Sequence, residues 1–108
     1  MRLSDFIGEA TEYDKKELLE ERKPKSWLKS VSAFANGVGG ALIFGVSDNE
    51  VLVGLEDAKS VSEKISETIK TKMDPVPQII LEIHSEDNKE FIVLKILAGQ
   101  ETPYYYTG

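Results

Sequence analysis

Between Trp27 and Val46 the apolar pattern changes period, and that change limits what the chain can build. Trp27, Leu28, Val31, Phe34 and Ala35 recur at three- and four-residue intervals, one stripe of a helix, with Lys25, Lys29 and Ser32 off it. Pro24 supplies the fixed φ favoured in a first helical turn. Asn36-Gly37-Val38-Gly39-Gly40 ends the helix, because Asn and Gly accept left-handed backbone. The next run, Ala41 to Val46, shows no polar alternation, the pattern of a strand covered on both faces. A helix packed on a sheet, with 41–46 central in that sheet, is therefore expected.

The flanking segments fit the same plan. Ala10 to Lys16, with Thr11 and Tyr13 among charges, reads as a strand with one wet face. Ser47-Asp48-Asn49-Glu50 reads as a turn and Val51 to Leu55 as a short return strand, giving a small hairpin. Asp57 or Ser60 can cap a second helix whose stripe is Ala58, Val61, Ile65 and Ile69; Ser60 and Glu63 have capping-box spacing. Pro75 and Pro77 stop it. In Gln78 to His84, Ile79, Leu81 and Ile83 alternate with Ile80, Glu82 and His84; Ser85 to Lys89 is a polar turn, and Glu90 to Leu97 the partner strand. The order β-α-β-(β)-α-β-β predicts an α/β (α+β) two-layer sandwich, a mixed sheet of about four to six strands with two helices packed on it. At 108 residues this is one domain, 1–108. The aromatic run Pro103-Tyr104-Tyr105-Tyr106-Thr107-Gly108 has no capping element, which suggests the N-terminal fragment of a longer chain.

Composition excludes several chemistries. No cysteine means no disulfide and no thiolate metal site, and the single histidine, His84, rules against a histidine-rich zinc site. The longest apolar run, 41–46, is far short of the ~20 residues of a membrane span, and no signal-peptide stretch follows Met1, so a cytoplasmic protein is expected. Thirteen bases against nineteen acids give a net charge of −6, the wrong sign for indiscriminate coating of phosphate backbones. The distribution is uneven. Residues 1–30 hold seven bases and seven acids, whereas the other 78 residues hold six and twelve.

Three features could carry chemistry. The glycine-rich segment 36–40 follows a helix and so sits at its negative end, whereas phosphate cradles precede a helix; there is also no Gly-x-x-x-x-Gly-Lys-Ser/Thr. A helix cap with close backbone packing is the better account. Of Glu9, Glu12, Asp14 and Asp48, three brought together could hold Mg²⁺ or Mn²⁺ through oxygen ligands; alternatively they are solvated or paired with nearby lysines. Lys15, Lys16, Arg22, Lys23, Lys25 and Lys29 could neutralise phosphates, with the tyrosines at 104–106 as stacking groups; Trp27, on the apolar stripe, belongs to the core. His84, alternating with isoleucines, reads as an ordinary strand histidine.

Taken in order, the segments Glu9 to Lys16, Pro24 to Gly40, Leu42 to Asp48, Val53-Gly54-Leu55, Asp74-Pro75 and Gly99 to Tyr105 resemble the Schlafen AlbA-type domain over nearly the whole chain. The carrying motif is Ser32-Ala33-Phe34-Ala35-Asn36, two residues, Gly39-Gly40, then Gly45-Val46-Ser47-Asp48. In bacteria the resemblance implies the N-terminal DNA-binding part of a transcriptional regulator, often followed by a winged-helix region. Eukaryotic Schlafen relatives include metal-dependent endoribonucleases, and their three metal-binding carboxylates match Glu9, Asp14 and Asp48 by spacing. The family's acid-Phe-Lys reads Asp14-Lys15-Lys16, which keeps the lysine and loses the aromatic. The resemblance thus leaves a nucleic-acid-binding domain that needs no cofactor, contacting DNA rather than RNA through the six bases. The alternatives are a Mg²⁺- or Mn²⁺-dependent ribonuclease acting through the three acids, and a scaffolding domain that forms a homodimer.

Overall fold

The computed structural model describes residues 2–3 and 12–107. Lys25–Asn36 forms helix α1, and every residue of the expected stripe is buried on it: Trp27, Leu28, Val31, Phe34 and Ala35. The helix leads into strand β2, Gly40–Phe44. Strand β1, Tyr13–Lys16, lies parallel to β2 with Tyr13 opposite Ala41 and Lys16 opposite Phe44, so α1 is the crossover of a β-α-β unit. On the other side of β2 runs β5, Lys89–Ile96, antiparallel, and beyond it β4, Ile79–Glu86. The four-stranded mixed sheet has the order β1-β2-β5-β4. Helix α2, Ala58–Lys72, packs with α1 against the sheet, and Met73–Asp74 (β3) pairs with Tyr105–Tyr106 (β6) in a separate two-stranded ribbon. This is the two-layer α+β arrangement that the sequence predicts.

Two cores explain the missing alternation in β2. On the helix side Leu42 and Phe44, with Ile92, Leu94 and Ile96 of β5, meet the α1 stripe and Ala58, Ile65 and Ile69 of α2. Trp27 contacts Phe44 edge to face, centroids 5.8 Å apart. On the opposite side Ala41, Ile43, Val46, Phe91 and Val93 are covered by Leu3, Tyr13 and Leu52. Each fully buried Leu, Ile or Phe in these clusters contributes roughly 1.5–3 kcal/mol of transfer free energy. At the sheet edge coverage is thinner: Ile79 and Leu81 pack against the helix-side core, whereas Ile80 and Ile83 are exposed.

Two expectations are corrected and one choice is settled. The return strand at 51–55 is reduced to isolated bridges, Val46 to Leu52 and Leu55 to Glu90. The N–H groups of Val53 and Gly54 both donate to the Gly45 carbonyl, at 2.8 and 2.9 Å, which breaks the ladder. Of the two candidate caps, Asp57 serves: its carboxylate accepts from the Ser60 N–H at 3.1 Å, and Ser60 lies inside the helix. The polar turn after β4 is tighter than expected, with Asp87 and Asn88 at φ 53° and 63°, both left-handed as a two-residue hairpin loop requires. The strand expected from Ala10 runs through Tyr13–Lys16; residues 10 and 11 lie outside the described residues.

The Phe34–Gly40 motif and Gly99–Tyr104 lock together. A Cβ on Gly40 would sit 2.5 Å from the Phe34 ring, and one on Gly99 2.2 Å from the Tyr104 ring. Asn36 holds the backbone of Tyr104 at two points: Oδ1 accepts its N–H at 2.6 Å and Nδ2 donates to its carbonyl at 3.0 Å. Ser32 Oγ donates to the same carbonyl at 2.8 Å, and the Gly99 N–H to the Ala35 carbonyl at 2.8 Å. Tyr104, proposed from sequence as a stacking group, is instead part of the helix-side core. Within that run Tyr105 is the exposed ring.

Candidate nucleic-acid interface

The start of α1 is built differently from its end. Pro24 stands at the N-cap with no side-chain hydrogen bond, and the first turn holds no acid. The N–H groups of Trp27 and Leu28 donate to the Pro24 carbonyl and that of Ser26 to the Lys23 carbonyl, so the Lys25 N–H is left without an acceptor among the described residues. Around this end lies a cleft of about 460 Å³ lined by Arg22, Lys23, Pro24, Lys25, Ser26, Leu28, Lys72 and Thr107. None of its four cations has a carboxylate within 4.0 Å among the described residues. Ser26 Oγ is shut off from solvent with no hydrogen-bond partner. Thus Arg22, Lys23 and Lys25 of the predicted basic set come together, joined by Lys72, which sequence reasoning missed.

The other predicted bases surround this cleft unevenly. Lys29 lies one turn along α1 from Lys25 and is exposed. Lys15 and Lys16 point to opposite sides of β1, as strand alternation requires. Lys15 shares the Tyr13 side, its ammonium 5.9 Å from that ring's centroid. Among the described residues β1 is a sheet edge, so the two lysines flank that edge.

The acidic candidates are placed as follows. Asp14 faces α1: Oδ2 accepts from Ser30 Oγ at 2.8 Å, and Oδ1 from the Lys15 N–H at 2.8 Å. Asp48 is exposed in the turn after β2, and Glu9 lies outside the described residues. Among the described residues no three carboxylate or histidine side chains converge as a metal site. The acid that does tie this turn to the sheet is Glu50, which accepts from the Tyr13 hydroxyl and so raises the Tyr13 pKa. Away from these residues, Glu82 on β4 contacts His84 at 2.9 Å and Lys95 at 3.2 Å. Its carboxyl is held below the ordinary value, first by the hydrogen bond to His84 and then by Lys95, against the opposing effect of burial.

The profile of the Schlafen, AlbA_2 family matches residues 9–108. The chain belongs to this family. As a fold, this AlbA_2 domain is similar to the solution structure of the N-terminal domain of an ATP-dependent DNA helicase RecG-related protein from Nitrosomonas europaea. The TM-score is 0.72 at 21% identity, over 100% of this chain and 82% of that one. It is also similar to the DIP2311 protein from Corynebacterium diphtheriae, with a TM-score of 0.55 at 20% identity over 84% of this chain and 18% of that one. No curated protein matches the sequence. Among the described residues of the AlbA_2 domain no helix is long and apolar enough to cross a membrane. Its motif residues Phe34, Asn36, Gly39 and Gly40 serve packing, and the unpaired charge lies a helix length away, where Lys72 could have been anticipated only from the basic last turn of α2.

Proposed function

We propose that this AlbA_2 domain binds nucleic acid, duplex DNA ahead of RNA, as the DNA-contacting part of a transcriptional regulator. The observation that carries the proposal is the cleft at the start of α1, where Arg22, Lys23, Lys25 and Lys72 stand together and no acid contributes to the lining. In a chain of net charge −6, such a group of cations repels itself until an anion is brought in, and a phosphate backbone relieves that repulsion while releasing counterions. Lys29 extends the surface along α1, and Lys15 and Lys16 extend it to the β1 edge. The choice of DNA leans on the family's bacterial regulators and on the DNA helicase-related neighbour.

The test is fluorescence anisotropy with short duplex DNA, single-stranded DNA and structured RNA at two salt concentrations, with EDTA or Mn²⁺. Engagement of about four phosphates predicts a log–log salt slope of about −3 to −4, unchanged by EDTA. The double variant Lys25→Glu, Lys29→Glu loses binding while remaining folded, since both side chains are exposed and an acid at 25, in the first helical turn, favours the helix. Tighter binding of RNA overturns the DNA assignment. Metal-dependent cleavage lost in Asp48→Ala replaces it with a nuclease acting through Glu9, Asp14 and Asp48, and silence with every probe replaces it with a scaffolding role.

A further inference from the structure

We infer that the cleft at the start of α1 is a seat for a phosphate monoester, filled by the phosphorylated end of a nucleic-acid strand or by a free nucleotide. For the strand end the inference rests on the nucleic-acid reading above; for the nucleotide it stands alone.

Charge arithmetic selects the monoester. The cleft carries four formal positive charges and its lining holds no acid. A backbone diester brings a single negative charge, whereas a monoester brings about 1.5 to 2 at neutral pH, together with more acceptor oxygens. The donors are of the right kind: the Arg22 guanidinium, three ammonium groups, and the Lys25 N–H at an α1 start that no side chain caps. The Ser26 hydroxyl, unpartnered but shut off from solvent, is not one of these donors. A group that would repel an anion is neutralised in place. The Lys72 carbonyl, at the negative end of α2, accepts both the N–H and the hydroxyl of Thr107, at 2.6 and 3.2 Å. What remains of Lys72 for the cleft is its ammonium. Pro24 and Leu28 give the wall an apolar stretch beside the cations, and the volume of about 460 Å³ exceeds what a bare phosphate fills, leaving room for the attached sugar.

The experiment compares 3′-labelled duplexes ending in a 5′-phosphate or a 5′-hydroxyl, by anisotropy, for the wild type and Lys72→Gln. In parallel, backbone amide shifts are followed by NMR on addition of inorganic phosphate, AMP or adenosine. The wild type should prefer the 5′-phosphate by about tenfold, the effect of one charge-assisted interaction. Lys72→Gln should lower affinity for both duplexes but several-fold more for the 5′-phosphate one, so that most of the preference is lost, because the more highly charged monoester depends more on each cation of the cleft. AMP and phosphate, but not adenosine, should shift the amides of Lys25, Ser26 and Thr107. Duplex binding with no end preference and no shift by phosphate or AMP overturns this inference and leaves the nucleic-acid reading intact. Shifts by AMP without binding of any duplex support the nucleotide and overturn the nucleic-acid reading. Equal shifts by AMP and adenosine overturn the phosphate assignment.

Discussion

The two ends of α1 obey opposite rules. At its C-terminal end polar groups are tied to a distant segment: Asn36 and Ser32 hold Tyr104, and the Ala35 carbonyl takes the Gly99 N–H. Glycines there make room for aromatic rings. At its N-terminal end the cap is empty, the Ser26 hydroxyl has no partner and four cations share a cleft without acids. One end spends its chemistry inside the fold and the other leaves it outstanding. The Phe34–Gly40 part of the carrying motif is therefore a packing device, and the surface fit for a ligand lies outside that motif, at residues 22–26 and at Lys72.

This contrast can be broken by substitution. Tyr104→Ala removes a buried ring and should cost about 3–5 kcal/mol in urea unfolding. A loss below about 1 kcal/mol would show that the C-terminal end is not locked. Next in size is Asn36→Ala, which strips the acceptor from the Tyr104 N–H and one of two donors from its carbonyl. About 2 kcal/mol is expected by the same measurement. Ser26→Ala should move stability the other way, by up to about 1 kcal/mol of stabilisation, because it deletes an unsatisfied buried hydroxyl. A clear destabilisation would mean that Ser26 Oγ has a partner and that the two ends are alike.

The smallest effect lies away from the helix and gives a control. Glu82 has a lowered pKa in the folded state, so its contribution is fully present above the ordinary value of 4.5 and is lost as the pH falls below that through the lowered value. With the side chain about a third exposed, solvent screening keeps this to a few tenths of a kcal/mol. The stability difference between wild type and Glu82→Gln, followed from pH 7 to pH 3, should shrink toward the acid end. A difference that grows instead would reverse the sign assigned to the His84 and Lys95 contacts.

What was legible in the sequence was what local periodicity or adjacency encodes. The α1 stripe, the doubly covered β2 and the β4–β5 pair follow from spacing alone, because one side of a helix or both faces of a strand set the pattern. Arg22, Lys23 and Lys25 were legible as a group because they are neighbours in the chain. Lys72 was not, since only the tertiary packing of α2 brings it to the start of α1. The β3–β6 ribbon was equally hidden, because two-residue strands have no period. Tyr104 stands in a run of three tyrosines with nothing local to mark it as the buried one. Likewise nothing local in the sequence ties Asp14 to Ser30, and that engagement becomes visible only when α1 crosses over β1.

The Asn36–Tyr104 contact spans 68 residues of sequence, and β2 reaches its antiparallel partner only at residues 92–96. On a ribosome α1 and β2 therefore emerge long before β5 and Tyr104, which complete their cover. The apolar stripe of α1 must wait, exposed to chaperones and to neighbouring nascent chains, until Tyr104 has cleared the exit tunnel. Closure of this fold waits for Tyr104, and a ribosome stalled a few codons short of that tyrosine would carry a nascent chain with the C-terminal end of α1 still unlatched.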